Sequence, residues 1–278
     1  MLKKTAALLI GLAMILTAAA CTNQQDTTKA TEPSTPVTQT EEATAKETET
    51  VPVTEPSAEP TTEAPSSETE PAASVTTEDV VMGDQLVKGR IVDIQKFTDK
   101  DKTVLRQLLK NSIIAGDSRV EAIVDYGILG EDICISLYGG YAGNSKEIAE
   151  QAANLYPEKV LFFMGINDPK WYYDDYTKFL SDYKADIDAY KAINPYSDIY
   201  VSNLIQVSEK RQGEVPAFKL VPEYNKRLEA LCAQEGWHYI DGNLYLQPKY
   251  YLEDGSHFTE EFYCYLIQQF VLEMGLWE

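Results

Sequence analysis

Five short apolar runs alternate with longer segments of helical periodicity, and this alternation constrains the fold more than any other feature of the chain. The runs are Ser112–Gly116, Ile133–Leu137, Val160–Met164, Ile199–Leu204 and His238–Ile240. Apolar runs of strand length that alternate with helices are typical of crossover units. The pattern therefore predicts an α/β domain with a parallel sheet covered on both faces.

The clearest of the helical segments is Tyr176–Ile193, whose large apolar residues recur on one face. Asn194-Pro195 ends it, because proline cannot continue a helix. Further helices are predicted over Pro222–Glu235, with glycine just past the end, and from Thr259 to Met274. We expect polar groups at the carboxyl ends of the strands to form the functional site, since sites of parallel sheets collect there.

The N-terminus has the features of an export signal. Two lysines precede an apolar run that ends at Ala18-Ala19-Ala20-Cys21. This ending resembles the site at which bacterial lipoproteins are cleaved and lipidated, so residues 1–20 are predicted to be a lipoprotein signal peptide and Cys21 the membrane anchor. Ordinary cleavage after the A-x-A pattern, which would give a secreted protein, is the alternative. Both predict an extracytoplasmic protein.

Residues 21–84 are predicted to be a disordered tether rich in Thr, Glu, Pro and Ser. Between 22 and 84 there are fourteen acidic residues and two lysines, which account for more than half of the formal net charge of −20. Such a segment cannot bury enough apolar surface to offset the entropy lost on ordering. We expect an extended spacer between the membrane and the folded domain.

Residues 85–278 are predicted to form one domain. The domain is mildly acidic, so nucleic acid is an improbable partner. Its three cysteines (Cys134, Cys232 and Cys264) are interpreted as small buried apolar side chains rather than disulfide partners. Two separate histidines and no Cys/His cluster predict that no metal or other cofactor is needed. The oligomeric state stays open.

Polar motifs follow three of the predicted strands. Gly116-Asp117-Ser118 follows the first, a glycine-rich segment from Tyr138 to Ser145 the second, and Gly165-Ile166-Asn167-Asp168 the third. A serine at a helix N-terminus can act as a nucleophile, and an amide after a glycine can donate to an oxyanion. The alternatives are a helix-capping serine and ordinary turns.

A nucleophilic serine needs a base, and the chain has only two histidines. His238 lies in a predicted strand that enters the core, where a structural role is the default. His257 lies in a polar loop three residues after Asp254, a spacing at which the carboxylate can hold Nδ1 and leave Nε2 to accept the serine proton. A turn followed by a helix cap at Thr259 is the alternative.

Together these motifs resemble those of the SGNH, or GDSL-type, hydrolase superfamily, over about Ile113 to Thr259. The resemblance implies a flavodoxin-like three-layer α/β/α sandwich with a mostly parallel five-stranded sheet, and a serine esterase. The asparagine that usually precedes the family's glycine motif is replaced by Leu137-Tyr138, so Gly140 and Gly139 stay open as alternatives to Gly143. The implied roles are a catalytic triad of Ser118, Asp254 and His257, and an oxyanion hole of Ser118, Gly143 and Asn167.

The substrate predicted from these features is an acylated carbohydrate. Tyr141 and Trp171 lie near the motifs and suit stacking on a sugar, with ordinary packing as the alternative. Arg119 follows the serine and is a candidate for contact with an anionic substrate group; a surface salt bridge is the alternative. The sequence has no long apolar insertion for an acyl-chain tunnel, which favours a short acyl group such as acetyl.

Three other functions remain compatible with the sequence. An acyltransferase would use the same triad with a sugar hydroxyl in place of water. A lipase or lysophospholipase would prefer long acyl chains. A catalytically silent glycan-binding or scaffold lipoprotein would keep the fold without needing all three triad residues.

Overall fold

The computed structural model describes residues 80–278. The predicted signal peptide, Cys21 and the tether up to residue 79 lie outside this range. In the described part the strands are β1 (Ser112–Gly116), β2 (Cys134–Ser136), β3 (Lys159–Phe163), β4 (Asp198–Ser202) and β5 (His238–Ile240). The helices are α1 (Asp99–Leu108), α2 (Ser118–Asp125), α3 (Lys146–Asn154), α4 (Asp168–Tyr172), α5 (Tyr176–Ile193), α6 (Glu209–Glu214), α7 (Val221–Glu235) and α8 (Glu260–Glu273).

The five strands form one sheet in the order β2-β1-β3-β4-β5, and every pair is parallel. Parallel neighbours need a crossover connection, which the intervening helices supply. The sequence prediction of an α/β domain with a five-stranded parallel sheet is confirmed. Among residues 80–278, no helix is both long and apolar enough to cross a membrane.

Alternate residues of the central strands serve two separate cores. Ile114 and Leu161 face one core, which is completed by α1, α2 and α8, whereas Ile113 and Val160 face the other, which is completed by α3, α5 and α7. Successive strand residues point to opposite faces, so an almost continuous apolar strand is required to bury both. The result is the predicted three-layer sandwich.

The described domain begins before the predicted boundary at residue 85. Val81 pairs with Val87 in an antiparallel bridge, and the side chain of Leu86 is fully buried. The carboxylate of Asp101, on α1, accepts hydrogen bonds from the backbone N–H groups of Asp84, Gln85 and Leu86. A buried carboxylate needs such donors, and they attach this N-terminal segment to α1.

Two aspartates, Asp168 at the start of α4 and Asp186 on α5, are buried. Burial raises the pKa of Asp186 to about 8 and that of Asp168 to about 7. One oxygen of each has no hydrogen-bond partner among the described residues. In the folded protein Asp186 therefore favours the protonated form at neutral pH, and Asp168 is near the midpoint of its titration.

We expect these groups to make stability depend on pH. In the unfolded chain an aspartate loses its proton as the pH rises through its ordinary pKa of 3.8. Between about pH 4 and pH 8 the folded state therefore holds more protons than the unfolded state. The free energy of unfolding falls as the pH rises through that range. Asp186→Asn replaces one of the two carboxyl groups with an amide that does not titrate. Thermal unfolding should give the variant the same Tm as the parent at pH 4 and a higher Tm at pH 8. A difference in Tm that does not change with pH would contradict this account.

Candidate active site

The first three motifs begin side by side because their strands end at the same level. Gly116, the last residue of β1, is aligned with Ser136 of β2 and with Phe163 of β3. A Cβ atom on Gly116 would lie 2.0 Å from the carbonyl oxygen of Phe163 and 2.5 Å from a methyl group of Val120. Only glycine fits there, and its absence of a side chain lets β1, β3 and the start of α2 meet closely.

Asp117, not Ser118, caps α2. The Asp117 carboxylate accepts a hydrogen bond of 2.9 Å from the backbone N–H of Arg119, and Ser118 is the first helical residue. The capping role considered for Ser118 is therefore filled by its neighbour. The Ser118 hydroxyl instead lies 2.9 Å from Nε2 of His257.

The Asp254–His257 loop is a tight turn that brings its two ends together. Asp254 Oδ1 accepts hydrogen bonds from the backbone N–H groups of Ser256 and His257, at 2.9 and 3.0 Å, while Oδ2 lies 2.5 Å from Nδ1 of His257. Gly255 has φ +66°, a conformation that glycine adopts without strain. The spacing of three residues thus produces the carboxylate–imidazole contact that the sequence predicted.

The electrostatics of this loop favour an ionised carboxylate. Burial raises the pKa of Asp254, but the hydrogen bonds from the His257 ring and from the two backbone N–H groups have a larger, opposite effect. The resulting pKa is about 2. A charged Asp254 accepts a hydrogen bond from the Nδ1–H group of His257, which leaves Nε2 to face Ser118 as the hydrogen-bond acceptor.

The Asn167 loop is fixed to both neighbouring loops. Asp117 Oδ2 accepts hydrogen bonds from the backbone N–H groups of Gly165 and Ile166, at 3.0 and 3.2 Å. Asn167 Nδ2 donates a hydrogen bond of 3.0 Å to the carbonyl oxygen of Gly140, in the glycine-rich loop. Asn167 is thereby held between the loops that follow β1 and β2.

The glycine-rich loop is anchored from below by Asp168, whose Oδ1 accepts a hydrogen bond of 3.0 Å from the backbone N–H of Ala142. The N–H of Gly140 is already used in a turn to Leu137. Among the described residues, none accepts a hydrogen bond from the backbone N–H of Gly143 or of Ser118. These two N–H groups are therefore available to a ligand, which favours Gly143 over Gly140.

The prediction that Arg119 contacts an anionic substrate group is wrong. Its side chain is 1% exposed and contacts the Asp254–His257 loop, where Nη2 donates to the carbonyl oxygen of Ser256 at 2.9 Å; Nη1 donates to that of Ile205 at 2.8 Å. The guanidinium also lies 4.6 Å from the centre of the Phe258 ring. The alternative of a surface salt bridge is wrong as well, because the burial of the side chain makes it part of the scaffold.

The aromatic candidates lie beside Gly143. The rings of Tyr141 and Trp171 are stacked, with centres 4.8 Å apart, and Trp171 is 64% exposed. With Gly143 and Tyr172 they line a cavity of about 330 Å³. An exposed indole supported from behind by a second ring is a suitable surface for an apolar sugar face.

The second histidine lies away from this site. His238 is exposed on the edge strand β5, where its ring is stacked on Tyr200 with centres 4.6 Å apart. The expectation of a core histidine is wrong because β5 is at the edge of the sheet and its first residue points to solvent. Cys134, Cys232 and Cys264 are buried and unpaired, as expected.

A cavity of about 360 Å³ opens in front of the candidate nucleophile. It is bounded by Ser118, His257, Tyr138, Leu252 and neighbouring residues of α2. Tyr138 is 81% exposed and Leu252 41% exposed, so part of this wall faces solvent. Between residues 80 and 278, no group of three or more His, Cys, Asp or Glu side chains is placed to hold a metal ion.

The burial of Arg119 leads to a testable expectation for stability. Arg119→Met keeps much of the side-chain volume but leaves the carbonyl oxygens of Ser256 and Ile205 without their donors. We expect the free energy of unfolding to fall by about 3 kcal/mol. Arg106→Met on the exposed face of α1 is the matched control and should change it by less than about 0.5 kcal/mol. Equal effects of the two substitutions in chemical denaturation would contradict the structural role.

Comparisons with known proteins give similarities of structure only. No family model matches the chain. No curated protein matches it. Among solved structures, it is similar to a GDSL-like lipase from Bacteroides thetaiotaomicron (15% identity, 60% of this chain and 88% of that one, TM-score 0.45). It is also similar to an acetylxylan esterase from Geobacillus stearothermophilus (15%, 59% and 93%, 0.47) and to a carbohydrate esterase family 3 protein from Talaromyces cellulolyticus (16%, 59% and 95%, 0.45).

Since these identities do not exceed 16%, the contacts around Ser118, rather than the similarities, identify the candidate catalytic residues. Ser118, Asp254 and His257 form one hydrogen-bonded chain. Asn167 is joined to the glycine-rich loop, and Asp117, the neighbour of Ser118, accepts hydrogen bonds from the loop that leads to Asn167. In the order of its motifs and in its parallel five-stranded sheet, the chain resembles the SGNH, or GDSL-type, hydrolases.

Proposed function

We propose that this protein is a serine esterase. The observation that carries the proposal is the continuous chain of contacts from Ser118 Oγ to His257 Nε2, at 2.9 Å, and from His257 Nδ1 to Asp254 Oδ2, at 2.5 Å. A nucleophile, a base and a carboxylate that orients the base are the parts needed for acyl transfer. A binding protein has no need of this arrangement.

In the proposed mechanism, Ser118 Oγ attacks the ester carbonyl carbon while His257 Nε2 takes the hydroxyl proton. The tetrahedral intermediate collapses, the C–O bond to the alcohol breaks, and His257 returns the proton to the leaving oxygen. Water then attacks the acyl-enzyme by the same steps in reverse and releases the acid. The N–H groups of Ser118 and Gly143 and the amide of Asn167 stabilise the oxyanion in both halves.

The proposed substrate is a carbohydrate that carries a short acyl group, with acetyl preferred. The cavity in front of Ser118 is small and partly open, which suits a short acyl chain attached to a large alcohol. The exposed Trp171, stacked on Tyr141, offers a sugar-binding surface next to Gly143. The predicted signal and lipidated Cys21 would place the domain on the outer face of the cell membrane, within reach of envelope glycans.

A lipase or lysophospholipase is the second candidate, and one observation favours it. A larger cavity of about 760 Å³ lies behind Leu252, with apolar walls from Val207, Leu246 and Tyr251. Leu252 lines both this cavity and the one in front of Ser118. If the two cavities join during catalysis, a long acyl chain could extend past Leu252.

Turnover of aryl esters of increasing acyl length by residues 80–278 tests both candidates. We expect the acetyl ester to give the highest kcat/KM, and Ser118→Ala and Asp254→Asn to lower kcat by about 10³-fold or more, because the first lacks the nucleophile and the second fails to orient His257. Highest turnover with long acyl chains would support the lipase. Equal turnover by the parent and Ser118→Ala on every ester would overturn the esterase proposal.

The glycan surface is tested separately from the chemistry. Trp171→Ala should raise KM for an acetylated oligosaccharide about tenfold, through lost stacking, and leave the kinetics with aryl acetate unchanged. Tyr196→Ala, which removes an aromatic residue that is 93% exposed, is the control and should alter neither substrate's KM. An unchanged oligosaccharide KM in Trp171→Ala would remove this surface from the binding site.

A further inference from the structure

The orientation of the Asn167 amide decides whether it can serve an oxyanion. The amide has one end that donates hydrogen bonds and one that accepts them, and rotation of the group by half a turn exchanges them. Only with Nδ2 towards the reaction centre can the side chain stabilise negative charge. The contacts that fix this orientation are therefore functional.

Two neighbours of opposite hydrogen-bonding character fix it. The carbonyl oxygen of Gly140 can only accept, and it receives a hydrogen bond of 3.0 Å from Nδ2. The ammonium group of Lys170 can only donate, and its Nζ lies 2.7 Å from Oδ1 of Asn167. An exchange of the two amide ends would set a donor against a donor and an acceptor against an acceptor, so both contacts select the same orientation.

Lys170 differs from two lysines of the α5 helix in its hydrogen-bond partner. Lys178 and Lys184, on α5, pair with the carboxylates of Asp182 and Asp188 four residues on. No ion pair of the described residues includes Lys170, and its hydrogen-bonded side-chain partner is Asn167. Loss of hydration and the nearby Arg211 lower the pKa of Lys170, although the residue is exposed. Its ammonium group is directed at the Asn167 amide rather than at a carboxylate.

The local fold keeps Lys170 in place. Asn167 precedes the short α4 helix, and the backbone N–H of Lys170 donates a hydrogen bond of 3.0 Å to the carbonyl oxygen of Asn167. The two residues are thus joined through the main chain and through their side chains. The Nδ2 atom of Asn167 carries two N–H groups. One donates to Gly140, and the other is available to a substrate oxygen.

We propose that Lys170 is a positioning residue that acts through Asn167. Its ammonium group holds Oδ1 away from the reaction centre and polarises the amide, so that Nδ2 donates more strongly to the oxyanion. The inference rests on the proposed esterase function and deepens it. The side chain of Lys170 is hydrogen-bonded to Asn167 and to none of the triad residues Ser118, Asp254 and His257.

The first test is the kinetics of Lys170→Met with aryl acetate. We expect kcat to fall about tenfold, as for the loss of a hydrogen bond to a charged group, with KM unchanged because the contact matters in the transition state. Lys170→Arg keeps a charged donor and should recover part of kcat. Lys191→Met, an exposed lysine at the end of α5, is the control and should match the parent in kcat and Tm.

A double-mutant cycle separates positioning from a general structural or electrostatic effect. Asn167→Ala alone should lower kcat by about 10²-fold or more. If Lys170 acts through Asn167, adding Lys170→Met to Asn167→Ala should lower kcat less than twofold further. A full tenfold additional loss, or a Lys170→Met variant with the parent's kcat, would overturn the proposal. Inactivity of the parent itself, equal to that of Ser118→Ala, would instead be a failure of the esterase function.

Discussion

The buried carboxylate of Asp117 is the interaction on which the rest of the site depends. One oxygen caps α2 through Arg119 N–H, and the other accepts from Gly165 and Ile166 in the loop after β3. The Asp117 side chain therefore sets where the α2 helix begins and where the Asn167 loop lies relative to that helix. Without this acceptor, three backbone N–H groups at the sheet edge would lack a hydrogen-bond partner. Buried backbone groups are rarely left unpaired, because this destabilises the fold.

The other loops are joined to this centre by similar contacts between a side chain and the main chain. Arg119 donates to the Ser256 carbonyl oxygen in the Asp254–His257 loop. Asn167 and Asp168 hold the glycine-rich loop through Gly140 and Ala142. Each contact satisfies a buried polar group that would otherwise be costly. Hydrogen bonds thus join four loops from distant parts of the sequence at one edge of the sheet, and such contacts favour a preorganised site.

Much of this arrangement could be predicted because it follows from local patterns. The strands β1 and β5 and the helix α5 begin and end where the apolar periodicity places them, and parallel order then brings the motifs to one edge. The three-residue spacing of Asp254 and His257 sets their contact. Local patterns do not reveal long-range partners, so the burial of Arg119 under a loop 137 residues away could not be predicted. The contact of Lys170 with Asn167 lies within one helical turn, but nothing in its spacing separates it from a solvated lysine.

If His257 and Asp254 make Ser118 nucleophilic, Ser118 should react with an aryl or alkyl fluorophosphonate. Such a reagent phosphonylates an activated serine with loss of fluoride, and intact-protein mass followed by peptide mapping gives both stoichiometry and position. We expect one label per chain, on Ser118, with rapid formation in the parent and labelling slowed by orders of magnitude in His257→Ala. Labelling spread over several serines, or labelling of Ser118 at the same rate without His257, would contradict it.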